Sequence, residues 1–261
     1  MTIALGQVVE ERRINPRWSS WTVLMLALVI ASGCGSGSSG VTAVPPAPAP
    51  STTAASTALA PGMSLVAAAR GDEVAVFDGP DGSAKPSRTL SNPTENGAPL
   101  VFLVDSQAPN WVHVDLPVRP NGSTGWVRAA DVEVTTINYR VVVELGNHRI
   151  TVYRGENVML TEPVGVGTGS TPTPGGTYYI KELLQPPDPS GAYGPYAYGL
   201  SGFSNVLTSF AGGDGVVGIH GTNDPSAIGR DVSHGCIRMS NSGITTLAKV
   251  LPLGTPVQIL P

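Results

Sequence analysis

The chemically suggestive part of this sequence is GVVGIHGTNDPSAIGRDVSHGCIRMSN, where His220 and His234 share one glycine-punctuated segment with Cys236. Two of the chain's four histidines therefore lie near one thiol in sequence. A thiol at its ordinary pKa is mostly protonated at neutral pH, so a nucleophilic cysteine needs a base or positive charge beside it. Histidine is the usual provider. His220 ends the apolar run Val216-Val217-Gly218-Ile219, which predicts a buried strand whose tip holds the ring rigidly. Gly221 follows and lets the backbone come close, so a main-chain carbonyl can fix the imidazole tautomer without a carboxylate. Ser233-His234-Gly235-Cys236 reads as a tight turn presenting the sulfur. Glycine before a nucleophile permits a backbone path that aims the N–H groups of Gly235 and Cys236 at one developing oxyanion. Arg238 has two readings: a bidentate contact to a substrate carboxylate, or an ion pair with Asp231 or Asp224 as scaffolding. The set suits covalent acyl transfer, with Cys236 as nucleophile and His220 as general base, and an activated Cys236 is expected to react rapidly below pH 7.

Rival readings use the same residues. Two histidines, a cysteine and an aspartate could ligate zinc, but short paired spacings such as C-x-x-C or H-x-x-x-H are missing, so neither a metal nor an organic cofactor is expected. A packed loop around an inert cysteine must explain a lone thiol with two histidines near it.

The elements that position this set are mainly β. Gly (32) and Pro (24) are abundant while only 13% of residues are charged, a balance that favours short strands and tight turns. From Tyr139, YRVVVELGNHRITVYRGENVMLTEPVGVG reads as three strands with turns at Gly146-Asn147 and Arg154-Gly155-Glu156. His148 sits on the first turn as a solvated residue. A Pro-, Gly- and Tyr-rich stretch from about 184 to 213 reads as a long functional loop, a lid or substrate wall. SNSGITTLAKVL predicts a short helix capped by Asn241 or Ser242, and GTPVQIL a closing strand. Upstream, between about Ser64 and Val134, EVAVF, PLVFLV, WVHVDL and GWVRAADVEV alternate between turns, a small antiparallel barrel or sandwich. Alternation puts Trp111 and His113 on one face there, so His113 is an ordinary strand residue.

The amino terminus bears on location. Arg12, Arg13 and Arg17 precede an apolar run from about Trp21 to Ala31, short for a membrane span but suited to a signal peptide. Ala31-Ser32-Gly33-Cys34 resembles the bacterial lipobox, where the cysteine becomes lipidated. An ordinary cleavage site or an uncleaved anchor is the alternative, and each puts the remainder outside the cytoplasm. Lipidation of Cys34 would leave Cys236, the other of two cysteines, without a disulfide partner. A Gly-, Ala-, Ser-, Thr- and Pro-rich stretch over 35–62 follows as an extended tether. A net charge of -4 supplies no basic stripe for nucleic-acid phosphates, so nucleic acid is not an expected partner.

The residues IHGT followed by SHGCIRMSN resemble the signature of the YkuD-type L,D-transpeptidases, a likeness extending from about 138 to 261 and including TPTPGG and the terminal GTPVQIL. GWV-x-x-x-DV and the strand spacing over 63–135 resemble bacterial SH3-like modules. The resemblance implies a small SH3-like barrel followed by a β-rich sandwich with a short carboxy-terminal helix and an active site under a loop lid. It implies that Cys236 is acylated by a peptidoglycan stem tetrapeptide at its third, diamino-acid residue, releasing D-Ala, and that an acceptor amine then takes the acyl group to form a 3-to-3 cross-link. His220 would be the base, His234 and Ser233 would shape the site, and Gly235 would line the oxyanion pocket with the Cys236 amide. Tyr193, Tyr196 and Tyr198 would correspond to the lid and meet substrate. Arg238 stands where Asn is also common in the family. Carbapenem-type inhibitors would acylate Cys236. Hydrolysis of the same acyl-enzyme would make an L,D-carboxypeptidase. A sortase-like transpeptidase and a non-catalytic wall-binding protein are further alternatives; the close spacing of His220 and Cys236, and Arg238 almost adjacent to the sulfur, argue against the sortase. The expected place is the outer face of the membrane, the cell wall or the periplasm, held by a lipid anchor at Cys34.

Overall fold

The alternating runs upstream of residue 138 pair locally. A computed structural model describes residues 59–209 and 213–261. Cys34, the apolar run before it and nearly all of the 35–62 tether lie outside the described residues. Strands β1 (Ser64–Ala69), β2 (Glu73–Val76), β3 (Arg88–Ser91), β4 (Val101–Ala108), β5 (Trp111–Asp115), β6 (Thr124–Arg128) and β7 (Val132–Ile137) form an amino-terminal module. Five of them make an antiparallel sheet in the order β6-β5-β4-β1-β7, and β2 pairs with β3 as a ribbon. Their inward positions, among them Val74, Val76, Phe102, Val112, Val114 and Val127, form one apolar cluster. Burying each of the larger side chains contributes about 1.5–3 kcal/mol. His113 stacks on Trp126 with ring centroids 4.8 Å apart and reaches Asp105 at 2.9 Å, in keeping with an ordinary strand residue.

The second part holds β8 (Tyr139–Glu144), β9 (Arg149–Arg154), β10 (Asn157–Pro163), β11 (Val166–Gly167), β12 (Gly176–Leu184), β13 (Ala197–Phe203), β14 (Val216–His220), β15 (Asp231–Ser233), β16 (Ile237–Arg238), α1 (Asn241–Ala248) and β17 (Pro256–Leu260). Eight strands join in the order β10-β9-β8-β17-β12-β13-β14-β16, and β11 pairs with β15. β8, β9 and β10 are the expected meander. The closing strand β17 lies inside the sheet, parallel to β8 and antiparallel to β12. β12 is shared between the halves: Gly176–Tyr179 pair with β17, and Ile180–Leu184 pair with β13. Register shifts in the β12–β13 and β13–β14 pairings bend this half around its core. Ile244 and Leu247 of α1 complete that core with Val141, Ile180, Leu200 and Ile219.

Three expectations change here. The stretch read as a long loop contains β13, buried along nearly its whole length. Its glycines mark a place where neighbours close in rather than a flexible tip: a Cβ at Gly199 would strike the Glu182 side chain, and one at Gly202 the Tyr178 ring. The cap of α1 is Ser240, whose Oγ accepts the Gly243 N–H at 2.9 Å, not Asn241 or Ser242. His148 is not merely solvated, because its Nε2 lies 2.8 Å from Asp231 Oδ1 and ties the β8–β9 turn to β15.

Candidate active site

β14 carries His220 between two partners, paired antiparallel with β13 and parallel with β16. The ring is only 4% exposed, and its Nδ1 lies 2.6 Å from the Gly221 carbonyl oxygen. A carbonyl only accepts, so Nδ1 carries the proton and donates, leaving the Nε2 lone pair available as a base. Burial pulls the His220 pKa down to about 4; the Gly221 bond opposes this and the Arg238 charge adds to it. The imidazole is therefore neutral at pH 7. Tyr193 closes over it edge-on, with ring centroids 4.8 Å apart.

Cys236 stands in the turn between β15 and β16, and Ser233 locks that turn. Its hydroxyl donates to the Cys236 carbonyl at 2.5 Å and accepts the Gly235 N–H at 3.1 Å. Its carbonyl accepts from Thr168 N–H and Thr171 Oγ1, each at 3.1 Å. Gly235 has φ 113°, a conformation that side chains rarely adopt, so glycine is required there. The Gly235 N–H is thus already spent inside the turn, which corrects its assignment to an oxyanion pocket. The Cys236 N–H makes no hydrogen bond among the described residues and is the donor left for an oxyanion.

Burial raises the Cys236 pKa above its ordinary value, against the Gly218 main-chain hydrogen bond and the Arg238 charge, which lower it. Gly218 is a site residue the sequence did not single out. A Cβ there would stand 2.8 Å from the Tyr198 carbonyl and 3.9 Å from the sulfur, so only glycine lets β14 pass between them. With the thiol pKa raised and the imidazole pKa lowered, the resting pair is uncharged at neutral pH rather than thiolate and imidazolium. Both directions run against rapid reaction of Cys236 below pH 7. Thiolate absorbance is expected to be absent at neutral pH and to emerge only in the alkaline range, above that of an ordinary thiol; a full signal at neutral or acid pH would show that the ion pair is the resting state.

The remaining site residues separate. His234 is exposed while Ser233 and Gly235 are buried, so only one imidazole shares the buried side of the site. Arg238 forms no ion pair with Asp231 or Asp224 among the described residues. Asp231 is engaged by His148, and the Asp224 carboxylate takes the Ser226 hydroxyl and N–H. The parallel pairing of β16 sets Arg238 beside His220, and its Nε is buried without a hydrogen-bond partner. The scaffolding ion pair is thereby withdrawn. Tyr193 and Tyr198 both border the cleft, but Tyr198 is 1% exposed with its ring in the core, and Tyr196 packs on the same core from its edge. β13 is buried on both faces there, so the Tyr198 ring serves the core and reaches the cleft only from within it. Asn241 was also unforeseen: its Oδ1 accepts the Thr222 N–H at 2.8 Å and abuts Gly221 and Gly194, holding the backbone around the base.

Cys236, His220 and Tyr193 open on one cleft of about 940 Å3, large enough for a peptide segment. Among the described residues, no group of three or more His, Cys, Asp or Glu side chains is gathered to hold a metal ion. The arrangement can deprotonate a thiol during attack on a carbonyl and return the proton to a leaving amine.

Residues 138–259 match the family described as the L,D-transpeptidase catalytic domain, YkuD. The chain is 39% identical over 126 residues to a putative L,D-transpeptidase YkuD of Bacillus licheniformis, covering 48% of this chain and 68% of that protein. It is 39% identical over 124 residues to the Bacillus subtilis protein of the same name, covering 48% and 67%. Among solved structures it is similar to an Enterococcus faecium L,D-transpeptidase at 25% identity, over 46% of this chain and 49% of that one, with a TM-score of 0.36.

Proposed function

We propose that this chain, which belongs to the L,D-transpeptidase family, cross-links peptidoglycan stem peptides through an acyl-enzyme on Cys236. The observation that carries the reading is a buried, neutral imidazole with its Nδ1 proton held by the Gly221 carbonyl, in the same cleft as an unpaired thiol. His220 Nε2 takes the thiol proton as the sulfur attacks the carbonyl of the donor tetrapeptide's third residue, and the Cys236 N–H receives the oxyanion. Collapse breaks the bond to the terminal D-Ala, which leaves as an amine carrying the proton from His220. An acceptor amine then attacks the thioester, gives its proton to His220 and departs as the new amide, restoring the thiol. The product is a 3-to-3 cross-link.

The Arg238 Nε is buried and Arg238 does not border the cleft, so its charge acts on the His220 and Cys236 pair rather than on a substrate carboxylate. Water attacking the thioester would yield tripeptide instead, so carboxypeptidase activity is the second outcome of one site. Carbapenem-type lactams would acylate the same sulfur. The amino-terminal segment supports export, with Cys34 lipidated at the outer face of the membrane.

Residues 64–261 incubated with a disaccharide-tetrapeptide and followed by intact mass spectrometry test this. A cross-linked dimer with loss of D-Ala is expected. Tripeptide alone would reassign the chain to hydrolysis, and a folded protein giving neither product nor adduct would end the catalytic reading.

A further inference from the structure

The amino-terminal module meets the catalytic sheet at three places. Val66 and Val101 pack with Tyr179, which is 0% exposed, so β1 and β4 are seated on β12 by a shared apolar cluster. Arg119 makes the second contact. Its Nη1 donates to the Ser204 carbonyl at 2.9 Å, its Nη2 to those of Leu207 at 3.1 Å and Asp214 at 2.9 Å, and its guanidinium lies 4.8 Å from the Phe203 ring centroid. Asn121 adds a two-way pairing with the end of β13, accepting the Phe203 N–H and donating to the Phe203 carbonyl, both at 2.8 Å. The third contact is Asn96, whose Nδ2 donates to Glu182 Oε2 at 2.8 Å.

These contacts bear on the cleft itself. Thr94, Glu95 and Asn96 of the module border it beside Cys236 and His220, as do Glu182 and Asp214, the very residues that Asn96 and Arg119 hold. One arginine thus ties together carbonyls on both flanks of the β13–β14 connection, which backbone pairing within the sheet leaves unmatched. Three main-chain acceptors converging on one guanidinium define a position, because the planar fork satisfies them only in one arrangement.

We infer that the amino-terminal module is part of the substrate site, with its Thr94–Asn96 turn as one wall and Arg119 and Asn121 as positioning residues for the ends of the β13–β14 connection, which also borders the cleft. The inference rests on the transpeptidase reading and assigns the module a place in peptide binding rather than a spacer's role. A wall acts on substrate affinity and leaves the chemistry at Cys236 alone. Arg119→Ala is therefore expected to raise the KM for the tetrapeptide about tenfold with kcat within about twofold of the parent. Amide hydrogen exchange across residues 203–209 should accelerate in parallel.

Glu95→Trp keeps the test open should Arg119→Ala fold poorly. Glu95 is exposed and makes no hydrogen bond among the described residues, so a bulky ring there should leave stability unchanged while narrowing the cleft and raising KM about fivefold. Parent turnover of the tetrapeptide in the same assay checks the transpeptidase reading separately. An active parent with unchanged KM in Glu95→Trp, and unchanged KM and exchange in Arg119→Ala, would overturn the inference. So would a variant losing only stability and apparent kcat.

Discussion

Cys236→Ala is expected to lose at least about 10^4-fold in kcat/KM, on the order of 5 kcal/mol of transition-state stabilisation. No other cysteine borders the cleft among the described residues to replace the sulfur. The fold should survive. The turn around Cys236 is held by Ser233 through the Cys236 carbonyl and the Gly235 N–H, and the thiol adds a hydrogen bond from the Gly218 main chain outside the turn. Cys236→Ser should be almost as inactive, since a hydroxyl is far less acidic than a thiol and an imidazole with its pKa near 4 is a weak base for it. Product chromatography beside circular dichroism checks both. Activity above about 1% of the parent in a preparation free of wild-type enzyme would show that the sulfur is not the nucleophile.

His220→Ala should cost about 10^2- to 10^4-fold in acylation rate, the usual worth of a positioned general base. A base removed by truncation can be replaced from solution, so added imidazole should recover part of the rate in His220→Ala and none in Cys236→Ala. Lack of rescue together with full activity of the variant would dismiss the role. The same residue predicts a stability effect whose sign follows from burial. The folded-state pKa, about 4, lies below the ordinary 6.5, so the unfolded chain binds the proton more readily. Its contribution to stability is fully present above pH 6.5 and is lost as pH falls through about 4. The difference is worth about 3 kcal/mol. Denaturant titrations should show the parent weakening over that window and His220→Gln weakening less.

Much of the site was legible because the chemistry is concentrated in one short segment. A strand ending in histidine, a glycine after it and a serine-to-cysteine turn are local features, and local spacing is what a sequence displays directly. The meander from Tyr139 was legible for the same reason, each strand pairing with the next through a short turn. What misled was composition without context. AYGLSGF reads as loop by its glycines, yet it is a buried strand because Glu182 and Tyr178 occupy the space side chains would fill. His148 reads as a turn residue because its partner, Asp231, is distant in sequence.

By itself, then, the sequence determined the mainly β fold, the nucleophile and base candidates and the family, all through short-range pattern. Tertiary structure alone decided which groups are free to act. The Ser233 hydroxyl consumes the Gly235 N–H, burial keeps the resting thiol and imidazole uncharged, and the parallel β14–β16 pairing sets Arg238 beside His220. The module's contacts through Arg119, Asn121 and Asn96 belong to the same class. Hydrogen-bond occupancy and desolvation depend on what lies across space from a residue, and spacing along a chain does not encode that.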